Sequence, residues 1–100
     1  MEKQNAISAL SALAQETRLD VFRLLVRAGP EGLPAGSVGG ALGLPSATLS
    51  FHLKELKSAG LLRCERLGRS RIYSTDLDAV QELVQFLLQN CCQGVNNPEP

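Results

Sequence analysis

One stretch, LPSATLSFHLKELKSAGLL at residues 44–62, constrains the fold of this chain more than any other. A helix is predicted to begin in it at Pro45 or Ser46 and to end at Gly60, because proline is tolerated in a first helical turn and glycine supplies a left-handed stop. Leucines recur along it at i, i+4 and i+7, which gives the helix one core-facing stripe. These leucines are Leu49, Leu53 and Leu56. The stretch therefore predicts a short helix with one buried side and one polar side.

The segments around this helix predict a second helix before it and a β-hairpin after it. They are, in chain order, a loop at 31–33, a short helix at 35–42 with Pro34 in its first position, a turn at 43–44, and strands at 61–67 and 71–74. Gly68-Arg69-Ser70 forms the predicted hairpin turn, where glycine supplies the positive φ. This order is typical of a winged helix-turn-helix, which presents one helix to the DNA major groove and a β-ribbon to the flanking backbone.

Length and composition predict a single small domain. The chain has 100 residues, 44% hydrophobic and 20% charged, which fits one core over residues 1–92 and a flexible tail at 93–100. Small domains often gain stability by association, so a partner subunit is expected. The sequence has no run of about 18 apolar residues and its N terminus lacks the basic start of a signal peptide, so we expect a cytoplasmic protein without a membrane partner.

Three further helices complete a predicted fold that is mostly α with a small two-stranded wing. The first two cover residues 6–13 and 15–28, and the apolar stripe of the first consists of Ile7, Leu10 and Ala14, with Leu13 beside it. The last follows a capping pattern in which Asp78 comes three residues after Thr75. Its apolar residues are too broadly spread for one side, so we expect one side to cover its own subunit and the other a twin subunit. They are Leu77, Val80, Leu83, Val84, Leu87 and Leu88.

Basic residues are concentrated in one part of the chain, although the formal net charge is zero. Between Ser46 and Thr75 six lysines and arginines stand against two glutamates, which leaves +4 there and −4 in the remainder. Such segregation gives a neutral molecule one electropositive face, and phosphate contacts need only that face. The alternative is a solvated charged surface without a nucleic-acid partner.

Two motifs link the chain to a known family. The order of helices and wing, with AQETR at residues 14–18 and SFHLKELKSAGLL in the predicted reading helix, resembles the ArsR family of winged-helix regulators over residues 7–92. The resemblance implies a homodimeric repressor whose first and last helices build the dimer interface, and which leaves its operator when a metal, a metalloid or another thiol-reactive signal binds. Two metal sites of the family are excluded, because the helix at 35–42 has no cysteine and the chain has one histidine.

Short polar side chains on the reading helix are expected to contact DNA. Ser46 and Thr48 lie nearest the helix end that points into the groove, and Lys54 suits phosphate. Capping is the alternative role for Ser46, and packing beside the wing is the alternative for His52. Phe51 stands where the family commonly has a basic residue, so one base or phosphate contact is expected to be lost. The predicted contacts are Ser46, Thr48, Ser50, His52 and Lys54.

Arg69 and Arg71 are the predicted DNA contacts in the wing. They flank Ser70, and in an alternating strand this spacing leaves both guanidinium groups on a similar side. Arg66 is a weaker candidate, and the alternative for all three arginines is that they only solubilise the hairpin tip. A twofold dimer with these contacts predicts an inverted-repeat operator whose half-sites lie about one DNA turn apart.

The three cysteines are expected to be free thiols, because their number is odd and their spacing fits no disulfide framework. Asn90-Cys91-Cys92 at the end of the last helix is similar to the vicinal-cysteine arsenite sensors of the family, although the tail lacks their further cysteine. Soft thiolates suit As(III) or Sb(III) as an inducer, with no permanent cofactor. Adjacent helical residues diverge by about 100°, so the helix must end here for both sulfurs to reach one ion. Cys64 is the candidate for a third ligand, with simple burial as its alternative.

Other functions stay open at this point. Cys91 and Cys92 could instead form a redox switch, or the pair could be an ordinary helix end. A winged-helix module that binds protein and not DNA is a further alternative. An enzyme is not expected, because His52 has no evident acid partner and neither cysteine lies in a nucleophile motif.

Overall fold

A computed structural model describes residues 1–95 as five helices and a three-stranded antiparallel sheet. The helices are α1 (Lys3–Leu13), α2 (Glu16–Ala28), α3 (Ala35–Leu42), α4 (Ser46–Ser58) and α5 (Leu77–Leu88). The strands are β1 (Leu33–Pro34), β2 (Leu62–Leu67) and β3 (Ser70–Thr75), in the sheet order β1-β3-β2. The predicted winged helix-turn-helix architecture is confirmed, with α3 and α4 as the helical pair and β2–β3 as the wing. Within residues 1–95 no helix has the length and apolar character that crossing a membrane requires.

The tail predicted to be flexible begins in the described part of the chain and continues beyond it. Within the described residues the backbone amide of Gln93 donates to the Asn90 carbonyl oxygen over 3.3 Å, so the chain turns directly after α5. Residues 96–100 and the flexibility predicted for them lie outside the described residues.

The sheet has one strand more than the sequence predicted. Leu33 pairs with Tyr73 and Pro34 pairs with Ile72, so the end of the predicted loop becomes an edge strand beside β3. Pro34 therefore precedes α3 and does not occupy its first turn, and an edge position tolerates proline because its nitrogen has no proton to donate. Gly32 permits this close approach: its φ is 71°, and a Cβ there would collide with the Tyr73 carbonyl oxygen.

One hydrophobic core lies between the helices and the base of the sheet. The predicted stripe of α4 is confirmed, because Leu49, Leu53 and Leu56 are all buried. α2 supplies Val21, Phe22 and Leu25 to the same core. Full burial of such a side chain stabilises the fold by about 1.5–3 kcal/mol relative to its exposure to water. The position of α4 is thus fixed by its inner side, which leaves its outer side available to a partner.

α1 buries a different side from the one its larger apolar residues suggest. It begins at Lys3, earlier than predicted, and its buried residues are alanines: Ala6, Ala9 and Ala12. Small side chains let a helix approach its neighbours closely, and α1 packs against α2, α4 and α5. Ile7 and Leu10 remain 49% and 42% exposed. The apolar stripe recognised in the sequence is therefore on the outer side of α1.

The start of α5 is fixed by Asp76 and not by Thr75, which the sequence suggested as the cap. Asp76 Oδ1 accepts a hydrogen bond from the Ala79 amide over 3.1 Å, whereas Thr75 is buried at the end of β3. Arg63 on β2 lies 3.5 Å from Asp76 and 3.7 Å from Asp78, measured from its Nη2 to their carboxylate oxygens. Carboxylates near a helix N terminus also interact favourably with the helix dipole. These contacts join the base of the wing to α5.

Candidate nucleic-acid interface

The side of α4 that faces away from the core carries most of the predicted reading residues. Four of the five are exposed: Ser46, Thr48, Ser50 and Lys54. They share this surface with Phe51, which is 56% exposed. The first two turns of α4 therefore present hydroxyl groups and one aromatic ring, and the last two turns present lysines.

His52, the fifth predicted contact, is buried at 8% exposure, so the prediction that it reaches DNA does not fit the structure. Its Nδ1 lies 3.4 Å from Nη1 of Arg18 on α2, and its ring meets the Phe51 ring edge-on at a centroid distance of 5.5 Å. Arg18 Nε also donates to the Ala12 carbonyl oxygen over 2.8 Å, so this set of contacts joins α1, α2 and α4. The signal was present in the sequence, because His52 follows Leu49 by three residues and shares its side of the helix.

The wing places two arginines directly opposite each other. Arg66 on β2 pairs with Arg71 on β3, so both side chains project from the same face of the hairpin. The turn contains only Gly68, with a φ of 62°, and Arg69, because Leu67 already pairs with Ser70. Arg69 thus lies in the turn, as predicted, so the strand alternation that would align its side chain with that of Arg71 does not apply to it. Because opposed like charges repel, this pair favours an anion between or beside them.

Arg66 therefore becomes a stronger candidate for DNA contact than the sequence suggested, since only the strand register reveals its position. Arg63, on the same strand, is already engaged by two carboxylates of the α5 N terminus. The electropositive surface predicted from residues 46–75 thus consists of α4 and the hairpin tip. Its exposed cations are Lys54, Lys57, Arg66, Arg69 and Arg71.

Cys91 and Cys92 lie where the chain leaves the helical conformation. α5 ends at Leu88, and both Asn90 and Cys92 adopt positive φ, at 62° and 66°. The two sulfur atoms are exposed and 3.0 Å apart. The hydrogen bond to Cys92, and to a lesser degree desolvation, raises the pKa of the Cys91 thiol above its ordinary value. The helix end that the sequence required for both sulfurs to approach each other is therefore present.

Cys64 has a different environment. It is half-buried on β2 directly opposite Tyr73, whose pKa is raised first by burial and then by its hydrogen bond with Cys64. In the described range, residues 1–95, no group of three or more His, Cys, Asp or Glu side chains could hold a metal ion. Cys64 therefore does not join Cys91 and Cys92 within one subunit, and the predicted third ligand is not assembled there.

Comparison with known proteins identifies the family of the chain. A helix-turn-helix domain family matches residues 13–65, the segment that contains α2, α3 and α4. The chain is also 33% identical over 78 residues to the uncharacterised HTH-type transcriptional regulator YceK of Bacillus subtilis. This match covers 78% of this chain and 77% of that protein. The chain belongs to this helix-turn-helix family of transcriptional regulators. Its family is thus one of DNA-binding proteins.

Solved structures with the same fold include winged-helix regulators described as ArsR-like. The chain matches an ArsR-like transcriptional regulator from Rhodococcus sp. RHA1 with a TM-score of 0.79 and 22% identity, over 90% of this chain and 82% of that one. It also matches the homodimeric winged helix-turn-helix DNA-binding domain of a possible ArsR-family regulator from Mycobacterium bovis, with a TM-score of 0.71 and 25% identity, over 89% and 82% of the two chains. In helix-turn-helix proteins the second helix of the pair lies in the major groove, and the corresponding helix of this chain is α4.

Proposed function

We propose that the regulator is a homodimeric repressor that holds operator DNA through α4 and the wing of each subunit and releases it when As(III) or Sb(III) binds Cys91 and Cys92. The observation that carries the proposal is the exposed thiol pair, 3.0 Å apart, at the end of a helix with an uncovered apolar side. This position joins the thiol pair to the helix that is expected to form the dimer.

The uncovered side of α5 supports the dimer. Leu77, Val84 and Leu88 follow one another at spacings of seven and four residues and remain 47%, 49% and 61% exposed. Leu83, one position before Val84, is 5% exposed and faces its own core. A helix with two apolar sides needs a second partner, and α1 also carries exposed apolar residues, Ile7 and Leu10. A second copy covers this surface, as expected from the sequence, and the similar domain from Mycobacterium bovis is homodimeric.

Two subunits related by a twofold axis present two reading helices and two wings. The operator is therefore an inverted repeat with half-sites about one DNA turn apart. Ser46, Thr48 and Ser50 contact base edges or sugar-phosphate, and Lys54 contacts phosphate. The arginines of the wing bind the flanking backbone. DNA as the partner fits the cytoplasmic location expected from the sequence.

The thiol pair is suited to one soft ion. Two thiolates that share an ion through bonds of about 2.3 Å lie roughly 3–4 Å apart, so the observed separation needs little movement. Arsenous acid, As(OH)₃, exchanges two hydroxyl groups for two sulfurs and releases two water molecules, with no change in oxidation state. Water, a cellular thiol or a sulfur from the twin subunit completes the coordination.

The position of the pair explains release. Cys91 follows Leu88 by three residues, so an ion bound to it reshapes the end of the helix whose exposed side forms the dimer. That change alters the separation of the two α4 helices and disfavours the operator complex. Because the two binding events are thermodynamically linked, operator DNA weakens ion binding by the same factor.

A redox signal is the second candidate, favoured by the same contact between sulfurs. A peroxide would oxidise the two thiols to a disulfide by removing two electrons and two protons, and the sulfurs would approach to about 2.05 Å. Operator release by peroxide, with no response to arsenite, would replace the first proposal with this one.

The test is fluorescence anisotropy with a labelled duplex from the region upstream of this gene, titrated with arsenite and separately with peroxide. Cys91→Ser and Cys92→Ser are expected to bind DNA as the wild type does and to remain bound at arsenite concentrations that release the wild type. Cys64→Ser is the matched control and should still respond. Normal release from the Cys91→Ser variant would refute this sensing site.

A further inference from the structure

The residues of α4 that lie farthest from the core are not its serines and threonine but three other side chains. Ala47, Phe51 and Lys54 repeat the spacing of the buried leucine stripe, displaced by two residues or about 200° around the helix axis. They therefore lie on the side directly opposite the core. Ser50 is placed to one side of this line and Thr48 to the other, so Phe51 projects between them toward any groove that α4 enters.

The Phe51 ring packs against the buried side chain of His52. Its ring meets the buried His52 ring edge-on, and Nδ1 of that histidine lies against the Arg18 guanidinium. A side chain that is 56% exposed yet rests on a fixed neighbour loses less conformational freedom when it binds. This arrangement suits a contact surface better than an incidental apolar residue on the protein exterior.

The major groove offers one apolar group to such a ring. Among the base-pair edges exposed there, only thymine carries a methyl group, and phenylalanine and alanine are side chains suited to contact it. Lys54 and Lys57 on the same helix provide charge complementarity to the phosphates that border the groove. We infer that Phe51, with Ala47 beside it, reads the C5-methyl group of a thymine in each operator half-site. The inference rests on the proposed DNA-binding function and adds a specificity-determining residue to it, at the position where the sequence suggested a lost contact.

The experiment compares thymine with deoxyuridine, which lacks only the methyl group. Sites bound by the wild type are first selected from a random duplex library, and each thymine of the selected site is then replaced in turn by deoxyuridine. One replacement is expected to weaken wild-type binding about fourfold per half-site, the factor for losing the burial of one methyl-sized group. When both half-sites are changed, the expected loss is about fifteenfold. Phe51→Ala should bind the thymine and deoxyuridine duplexes equally.

The control is Leu67→Ala, since Leu67 is an apolar residue of the wing with the same exposed fraction of 56%. This variant should retain the wild-type penalty for deoxyuridine. An equal penalty in Phe51→Ala and wild type, or no sensitive thymine in the selected site, would overturn the inference while leaving DNA binding intact. Failure of the wild type to select any duplex would instead overturn the proposed function and the inference together, and a Phe51-dependent protein complex in its place would assign the ring to a protein partner.

Discussion

Arg66→Gln should weaken DNA binding and stabilise the free protein at the same time. Arg66 and Arg71 are directly opposed on the wing, so removal of one charge relieves a repulsion in the unbound protein. An opposed pair of like charges costs about 0.2–1 kcal/mol, and exposure to solvent places this one at the lower end. A damaged fold would lower both DNA affinity and stability. The loss of a DNA contact at Arg66 should instead lower affinity while stability rises.

The size of the binding effect follows from the number of subunits. Each subunit of the dimer loses one phosphate contact, so the slope of log K against log salt concentration should become shallower by about 1.8. Between about 50 and 200 mM salt, the affinity ratio of wild type to variant should therefore shrink by roughly tenfold.

Anisotropy titrations at four or more salt concentrations measure this slope, and thermal unfolding measures stability. Arg63→Gln is the matched control, because Arg63 lies on the same strand but is held 3.5 Å from Asp76 and 3.7 Å from Asp78. It should leave the slope nearly unchanged and should not stabilise the protein. An unchanged slope for Arg66→Gln, or an equal change for Arg63→Gln, would refute the assignment of the opposed arginines to phosphate.

Three further predictions address the dimer, the sheet and the thiols. Val84→Asp should give a monomer in sedimentation experiments with unchanged helical circular dichroism, because Val84 is half-exposed in one subunit; a stable dimer would place the interface elsewhere. Gly32→Ala should lower the free energy of unfolding by about 2 kcal/mol in urea titrations and by more than Gly29→Ala, since both glycines have positive φ but only Gly32 meets backbone; equal losses would remove the role of contact with β3. Cys92→Ala should shift the pH profile of Cys91 alkylation to lower pH, because the hydrogen bond that raises its pKa is lost; an unmoved profile would contradict that cause.

The parts of the fold that depend on local pattern could be predicted from the sequence. Leu49, Leu53 and Leu56 lie on the buried side of α4 as their spacing requires, and the hairpin turns at Gly68. α1 could not be oriented in this way. Its alanines and its larger apolar residues form two apolar sides, and in a protein completed by a second copy the larger side chains can belong to the partner. Hydrophobicity alone does not show whether an apolar side of α1 packs within its own subunit or against the second copy.

The parts of the site that depend on pairing between distant segments could not be predicted from the sequence. β1 pairs with β3 where Gly32 allows the two segments to approach closely, and no local signal indicates this pairing. The importance of Arg66 follows from strand register, because a shift of one residue would place it on the other face. The side chain of His52 is suited to DNA contact by its chemistry, but its position on the same side of α4 as Leu49 buries it. Its burial instead gives it a supporting role beneath Phe51.

Hydroxyl-radical footprinting of the regulator on its selected operator, with and without arsenite, tests the central claim most directly. The account predicts two protected half-sites with centres about 10 base pairs apart on one face of the duplex, and loss of both protections together when arsenite is added. A single protected site, or two protections that persist when the thiol pair is saturated with arsenite, would contradict it.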